Sequence, residues 1–211
     1  MSQEEHVLVI ERKVIEEVGM FQGLAFDIDR YLSNIFVQGV PRFIPRSQAE
    51  RDPSHKQIIP YVIMMHKDKV LSYVRGRRAG ESRLVGNRSI GIGGHINPID
   101  ADNSPLFAYL YDNYLTAVQR EVTEEVSVET AYTDRIAALL NDDSNEVGSV
   151  HLGIVHCWNL DKPDVSKREQ MITQMTFMSH EELQQVRETL ETWSQKCLDG
   201  LCEMTKRARA S

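Results

Sequence analysis

Glu121, Glu124 and Glu125 stand at i, i+3 and i+4 in the run Arg120-Glu121-Val122-Thr123-Glu124-Glu125. On a helix this spacing puts the three carboxylates on one face. Like charges so close repel, and a helix that needed only solubility would alternate signs. Arg120 flanks the face and can fork onto a neighbouring carboxylate. A hard divalent cation such as Mg²⁺ or Mn²⁺ takes carboxylate oxygens, and this triplet offers them. The competing reading is a solvated acidic face, since charged side chains are mostly exposed. Two neighbours weigh against it: Gly93-Gly94-His95-Ile96 upstream and the Val126-Ser127-Val128 segment downstream.

These residues need a long helix and a strand end to position them. Leu106 to Val126 reads as one amphipathic helix, with Leu115, Val118, Val122 and Val126 as its buried stripe. Ser104-Pro105 supplies a cap and a first-turn proline. Ser89 to Ile96 alternates apolar residues with glycines, which in a strand mark close approach by another backbone or a ligand. Gln57 to His66 is a strongly apolar strand, and Val70 to Val74 returns beside it after the turn Lys67-Asp68-Lys69. The basic run that follows offers Arg75, Arg77 and Arg78 as a clamp for phosphate oxygens, against the alternative of a charged surface turn.

Gly-Gly-His-Ile followed by Arg-Glu-Val-Thr-Glu-Glu-Val resembles the Nudix box of the Nudix hydrolases. The second half of the box matches at Arg120, Glu121, Val122, Glu124, Glu125 and Val128. Two departures stand out. Ser127 replaces the family glycine, and Gly94 to Arg120 spans 26 positions (120 − 94) where the box as written has 14. The surplus falls within residues 97–111, and counting back from Arg120 puts Asp112 where the first box glutamate belongs. The resemblance implies an α/β/α sandwich around a mixed sheet over residues 57–205, with 1–56 as an N-terminal extension or small packed lobe and 206–211 as a tail. It implies hydrolysis of a nucleoside diphosphate derivative or similar phosphoanhydride. Glu121, Glu124, Glu125 and the Gly94 carbonyl would hold Mg²⁺ or Mn²⁺, Glu124 or Glu125 would take a proton from water, and Arg120 would orient a glutamate. A homodimer is a family-level expectation. The interrupted box keeps a second reading open, a nucleotide-binding or sensor module on the same fold without hydrolysis.

Composition fits this picture. The chain has 211 residues, 41 % of them hydrophobic, which suits one globular domain with an extension. A net charge of −7 disfavours a general nucleic-acid binder. No apolar run approaches the roughly 18 residues of a membrane span, and the acidic first residues do not read as a secretory signal. Cys157, Cys197 and Cys202 form no Cys-x-x-Cys pair and read as reduced thiols in a cytoplasmic protein. His6–Ile10 reads as a strand, and Glu11–Val18 and Phe26–Phe36 as helices. The proline-punctuated stretch up to Lys56 reads as irregular. Thr133–Leu140 reads as a strand or a short turn-and-strand unit, and Val150–Leu160 and Gln174–Met178 read as strands. Asp142, Asp143 and Glu146 between the first two are candidates for an additional metal carboxylate. Ser179 opens a last helix with a capping box to Glu182, running to about Leu198 and stopped by Gly200.

Overall fold

A computed structural model describes residues 4–76, 86–98, 110–168 and 172–209. Contacts divide the chain into two compact units, each assembled from separate stretches: 1–60, 94–119 and 138–154 in the first, 61–93, 120–137 and 155–211 in the second.

In the first unit, β1 (His6–Glu11) lies between β3 (Arg42–Pro45) and the opening of β4 (His55–His66), with Val9 opposite both Arg42 and Gln57. β2 (Gly23–Ala25) pairs with the end of β8 (Tyr132–Asn141). The first residues are thus woven into strands. The stretch expected to be irregular contains β3 and the single turn α3 (Arg46–Ala49). The reason is burial: Ile44 and Ala49 close an apolar cluster with Val7 and Val9. Helices α1 (Arg12–Gly19) and α2 (Ile28–Ile35) bury Ile15, Val18, Tyr31 and Ile35, and the Tyr31 hydroxyl donates to the Gly19 carbonyl at 2.7 Å. Lys56 is fully buried, and its ammonium donates to Asp143 Oδ1 at 2.6 Å and to the Gly148 carbonyl at 3.0 Å. Arg12 forks onto the same carboxylate, at 3.1 and 2.7 Å. Gly148 lies in the short turn α5 (Glu146–Ser149), where the Asn145 side chain caps its amide at 2.9 Å.

In the second unit, the end of β4 turns through Lys67 (φ 57°) into β5 (Lys69–Arg75), which pairs with β6 (Arg88–Ser89) and β11 (Ile172–Ser179). Ile63, Met64 and Met65 of β4 are buried in succession, the run of a strand covered on both faces. β9 (His151–Leu160) is buried along nearly its whole length. Hydrogen-bonded neighbours run β11-β5-β4-β9-β8-β2, with β1, β3 and β6 attached beside that path, a large mixed sheet in an α/β fold. A separate two-stranded sheet joins β7 (Val126–Val128) to β10 (Val165–Lys167). The long helix α4 (Leu110–Glu125) leads directly into β7. Its expected start near Leu106 and the Ser104-Pro105 cap lie outside the described residues.

The C-terminus departs from expectation. Ser179 does form the capping box with Glu182, but α6 (His180–Gln185) ends early. After a 3-10 turn and an extended Leu190, α7 (Thr192–Arg209) begins. Buried Leu190 and Glu191 make the break, with the Glu191 amide donating to the Arg88 carbonyl at 2.9 Å. Helix α7 continues through Gly200 and into the residues expected as a tail. A glycine costs a helix about 1 kcal/mol relative to alanine, and burial of Leu198, Leu201 and Met204 around it outweighs that.

Candidate active site

The acidic face survives folding as the last turns of α4, within the second unit. Val122 and Val126 are buried, which fixes the helix by its apolar stripe and turns the carboxylates away from it. Arg120 Nη1 lies 2.8 Å from Glu121 Oε1 and 3.2 Å from Glu124 Oε1, so one guanidinium holds two of the three acids. Glu121 has a side-chain exposure of 14 % and Glu124 one of 54 %. On β5, burial pushes the Tyr73 phenol up to about 12, against the pull of Arg75, with the charges of Glu191 and then Glu125 adding to the rise. Tyr73 in turn donates to the Gly91 carbonyl at 3.0 Å.

The glycine strand is held just as closely. Gly91 has no room for a side chain, because a Cβ there would sit 2.2 Å from the Tyr61 ring. Ser194 of α7 accepts from the Ile90 amide at 3.1 Å and lies 2.8 Å from the Tyr61 hydroxyl. Ser72 donates to the Ser89 carbonyl at 3.2 Å.

No family model matches the chain. YmaB of Bacillus subtilis (strain 168) is 35 % identical over 210 residues, 95 % of this chain and 98 % of that one. The crystal structure of Tm1382, a protein assigned as a Nudix hydrolase, is 29 % identical and superimposes with a TM-score of 0.74, over 93 % of this chain and 98 % of that one.

The chain has the Nudix fold. As a Nudix-type phosphohydrolase it keeps Arg120, Glu121, Glu124 and Glu125 on one helical segment. The departure at Ser127 has a local explanation. Ser127 lies in β7 opposite Ser166 of β10, and no described residue from 110 to 168 takes a positive φ, so nothing at this position calls for glycine.

Other candidates in this Nudix hydrolase are placed as follows. Gly93 closes a segment of the second unit and Gly94 opens one of the first. Arg75 pairs its guanidinium with Glu191 and stands 5.8 Å from the Tyr73 ring centre. Burial works against the Arg75 charge, and the paired Glu191 carboxylate favours it, so the guanidinium stays charged. Arg77 and Arg78 lie outside the described residues. Asp112 is exposed in the first turn of α4. Asp142 and Asp143 are engaged internally: Asp142 accepts from Gln22 and Ser144, each at 2.7 Å, and Asp143 from Arg12 and Lys56. His95 and His151 face each other, Nε2 to Nε2 at 3.4 Å, and burial first, then Arg46 and His151, push His95 down to about 3. The three cysteines are free.

Hard carboxylate oxygens are the donors a divalent ion takes, and Glu121, Glu124 and Glu125 supply them from adjacent turns. Among the described residues, however, no three His, Cys, Asp or Glu side chains already converge on a common point that would hold a metal. Arg120 draws Glu121 and Glu124 to itself, and rotation of these flexible side chains would be needed to gather them. Sequence reasoning missed Tyr73, Ser194 and Glu191, whose partners lie 18, 104 and 116 positions away.

Proposed function

We propose that this Nudix hydrolase cleaves a nucleoside diphosphate derivative, or a similar phosphoanhydride, with the help of Mg²⁺ or Mn²⁺. The observation that supports it is the Arg120–Glu121–Glu124 arrangement on the last turns of α4, with Glu125 next along the same helix. Glu121, Glu124 and Glu125 are the proposed metal ligands. Bound there, a divalent ion neutralises diphosphate charge and acidifies water. The residues of the chain do the rest. Glu124 or Glu125 takes the proton as water oxygen bonds to phosphorus and the bridging P–O bond breaks. Arg120 holds the neighbouring acids in register. The arginine run from Arg75 through Arg77 and Arg78 is proposed to hold phosphate oxygens, with Arg75 already committed to Glu191.

The test is turnover of a panel of nucleoside diphosphate derivatives with and without Mg²⁺ or Mn²⁺, in wild type, Glu124→Gln and Glu125→Gln. Loss of the general base should lower kcat by about 10²–10⁴-fold in one of the two variants. Unchanged turnover in both removes these glutamates from the chemistry. Tight nucleotide binding without metal and without product would favour the binding-module reading.

A further inference from the structure

Helix α4 ends without the device helices commonly use to end. The last four carbonyls of a helix lack intrahelical partners, and a following glycine in the left-handed region often satisfies some of them. Here Val126-Ser127-Val128 follows, none with a positive φ. Two of those four carbonyls are taken instead by one residue far along the chain. Arg168 Nη1 donates to the Thr123 carbonyl at 2.8 Å, and the Arg168 backbone amide donates to the Glu125 carbonyl at 2.9 Å. The pairing of β7 with β10 brings it there: Lys167 lies opposite Val126, so the next residue meets the helix end.

We propose that Arg168 is a positioning residue for the glutamates of α4, a cap delivered by β10 in place of a local glycine. This rests on the metal-dependent reading given above. Arg168 touches neither substrate nor reacting atoms. It fixes the carbonyls on either side of Glu124, and so the backbone from which Glu124 and Glu125 project. Its cationic end also lies at the negative pole of the helix, where positive charge is favourable. Side chains gathered around an ion tolerate little play, and loss of groups that orient ligands commonly weakens metal affinity about 10–100-fold.

The experiment is a graded series in the full chain: Arg168→Lys, which keeps charge and a donor; Arg168→Met, which removes the side-chain bond; and Arg168→Pro, which removes the amide bond as well. Mn²⁺ binding is measured by calorimetry, metal activation by the Mn²⁺ dependence of turnover, and folding by thermal melting. The expected result is a Mn²⁺ dissociation constant near wild type for Lys, raised about tenfold for Met and further for Pro, with kcat largely recovered at saturating metal. Melting temperatures that fall while the Mn²⁺ constant stays at its wild-type value would show a structural cap only and overturn the proposal. So would Mn²⁺ affinity unchanged across the series with melting also unchanged. If the wild type itself binds no Mn²⁺ and turnover needs none, the metal-dependent reading fails and this inference falls with it, an outcome separate from a wild type that binds and variants that do so equally well.

Discussion

Arg120 is the residue on which the acid cluster turns. It contacts Glu121 and Glu124 from a position only 23 % exposed, and removing it would leave two close carboxylates without their shared counter-charge. Arg120→Met should weaken metal affinity or kcat/KM about 10–100-fold, checked by Mn²⁺ titration alongside steady-state kinetics. Asp143 is a second residue-scale test, of structure rather than chemistry. Burial alone would raise its pKa, but hydrogen bonds from Arg12, Lys56 and Asn141 outweigh that and hold it well below the usual carboxylate range. A folded-state pKa below the unfolded one contributes stability above about pH 4, lost as acid carries the pH down through the folded-state value. Asp143→Asn should cost about 3 kcal/mol at neutral pH, because Lys56 is left buried without its counter-ion, and should flatten the acid limb of the stability curve. Denaturant titrations from neutral to acid pH would show both effects.

At the scale of elements, the segment from Ser89 to Gly91 matters most. It is held by Tyr73 and by Ser194, and it reaches the Tyr61 ring so closely that Gly91 admits no substituent. Gly91→Ala should destabilise the protein by at least about 1–3 kcal/mol through overpacking. It should also lower activity beyond the loss of folded protein, if the glycine strand leads to the metal site as the Nudix-box resemblance implies. Thermal melting and kinetics per folded molecule separate the two losses. The break between α6 and α7 is the counterpart at the other end of the chain. It lets Glu191 meet Arg75 and Arg88, and puts Ser194 against the Ile90 amide.

For the molecule as a whole, the first fifty-six residues supply β1, β2 and β3, and Val7, Val9 and Ile10 are fully buried. Their removal strips partners from β4 and β8 within the first unit and takes Arg12 and Lys56 away from Asp143. A chain beginning at Gln57 should therefore lack a cooperative thermal transition; a sharp melt with native circular dichroism would show instead that residues 57–205 stand alone. No helix among the described residues is long and apolar enough to cross a membrane.

The amino-acid sequence by itself determined what depends on short windows. The i, i+3, i+4 spacing of Glu121, Glu124 and Glu125, the apolar run of β4, the hairpin at Lys67-Asp68 and the Ser179 capping box all follow from neighbours along the chain. Only the tertiary structure decided which distant groups meet them. Arg168 reaches Thr123 across 45 positions and Glu191 reaches Arg75 across 116. Three-residue strands such as β7 and β10 carry too little periodicity to be read alone. Gly200, a stop by local propensity, stays helical because burial around it is worth more than a glycine costs. Propensity acts within a turn or two, whereas pairing and burial are fixed by partners that the linear order keeps far apart.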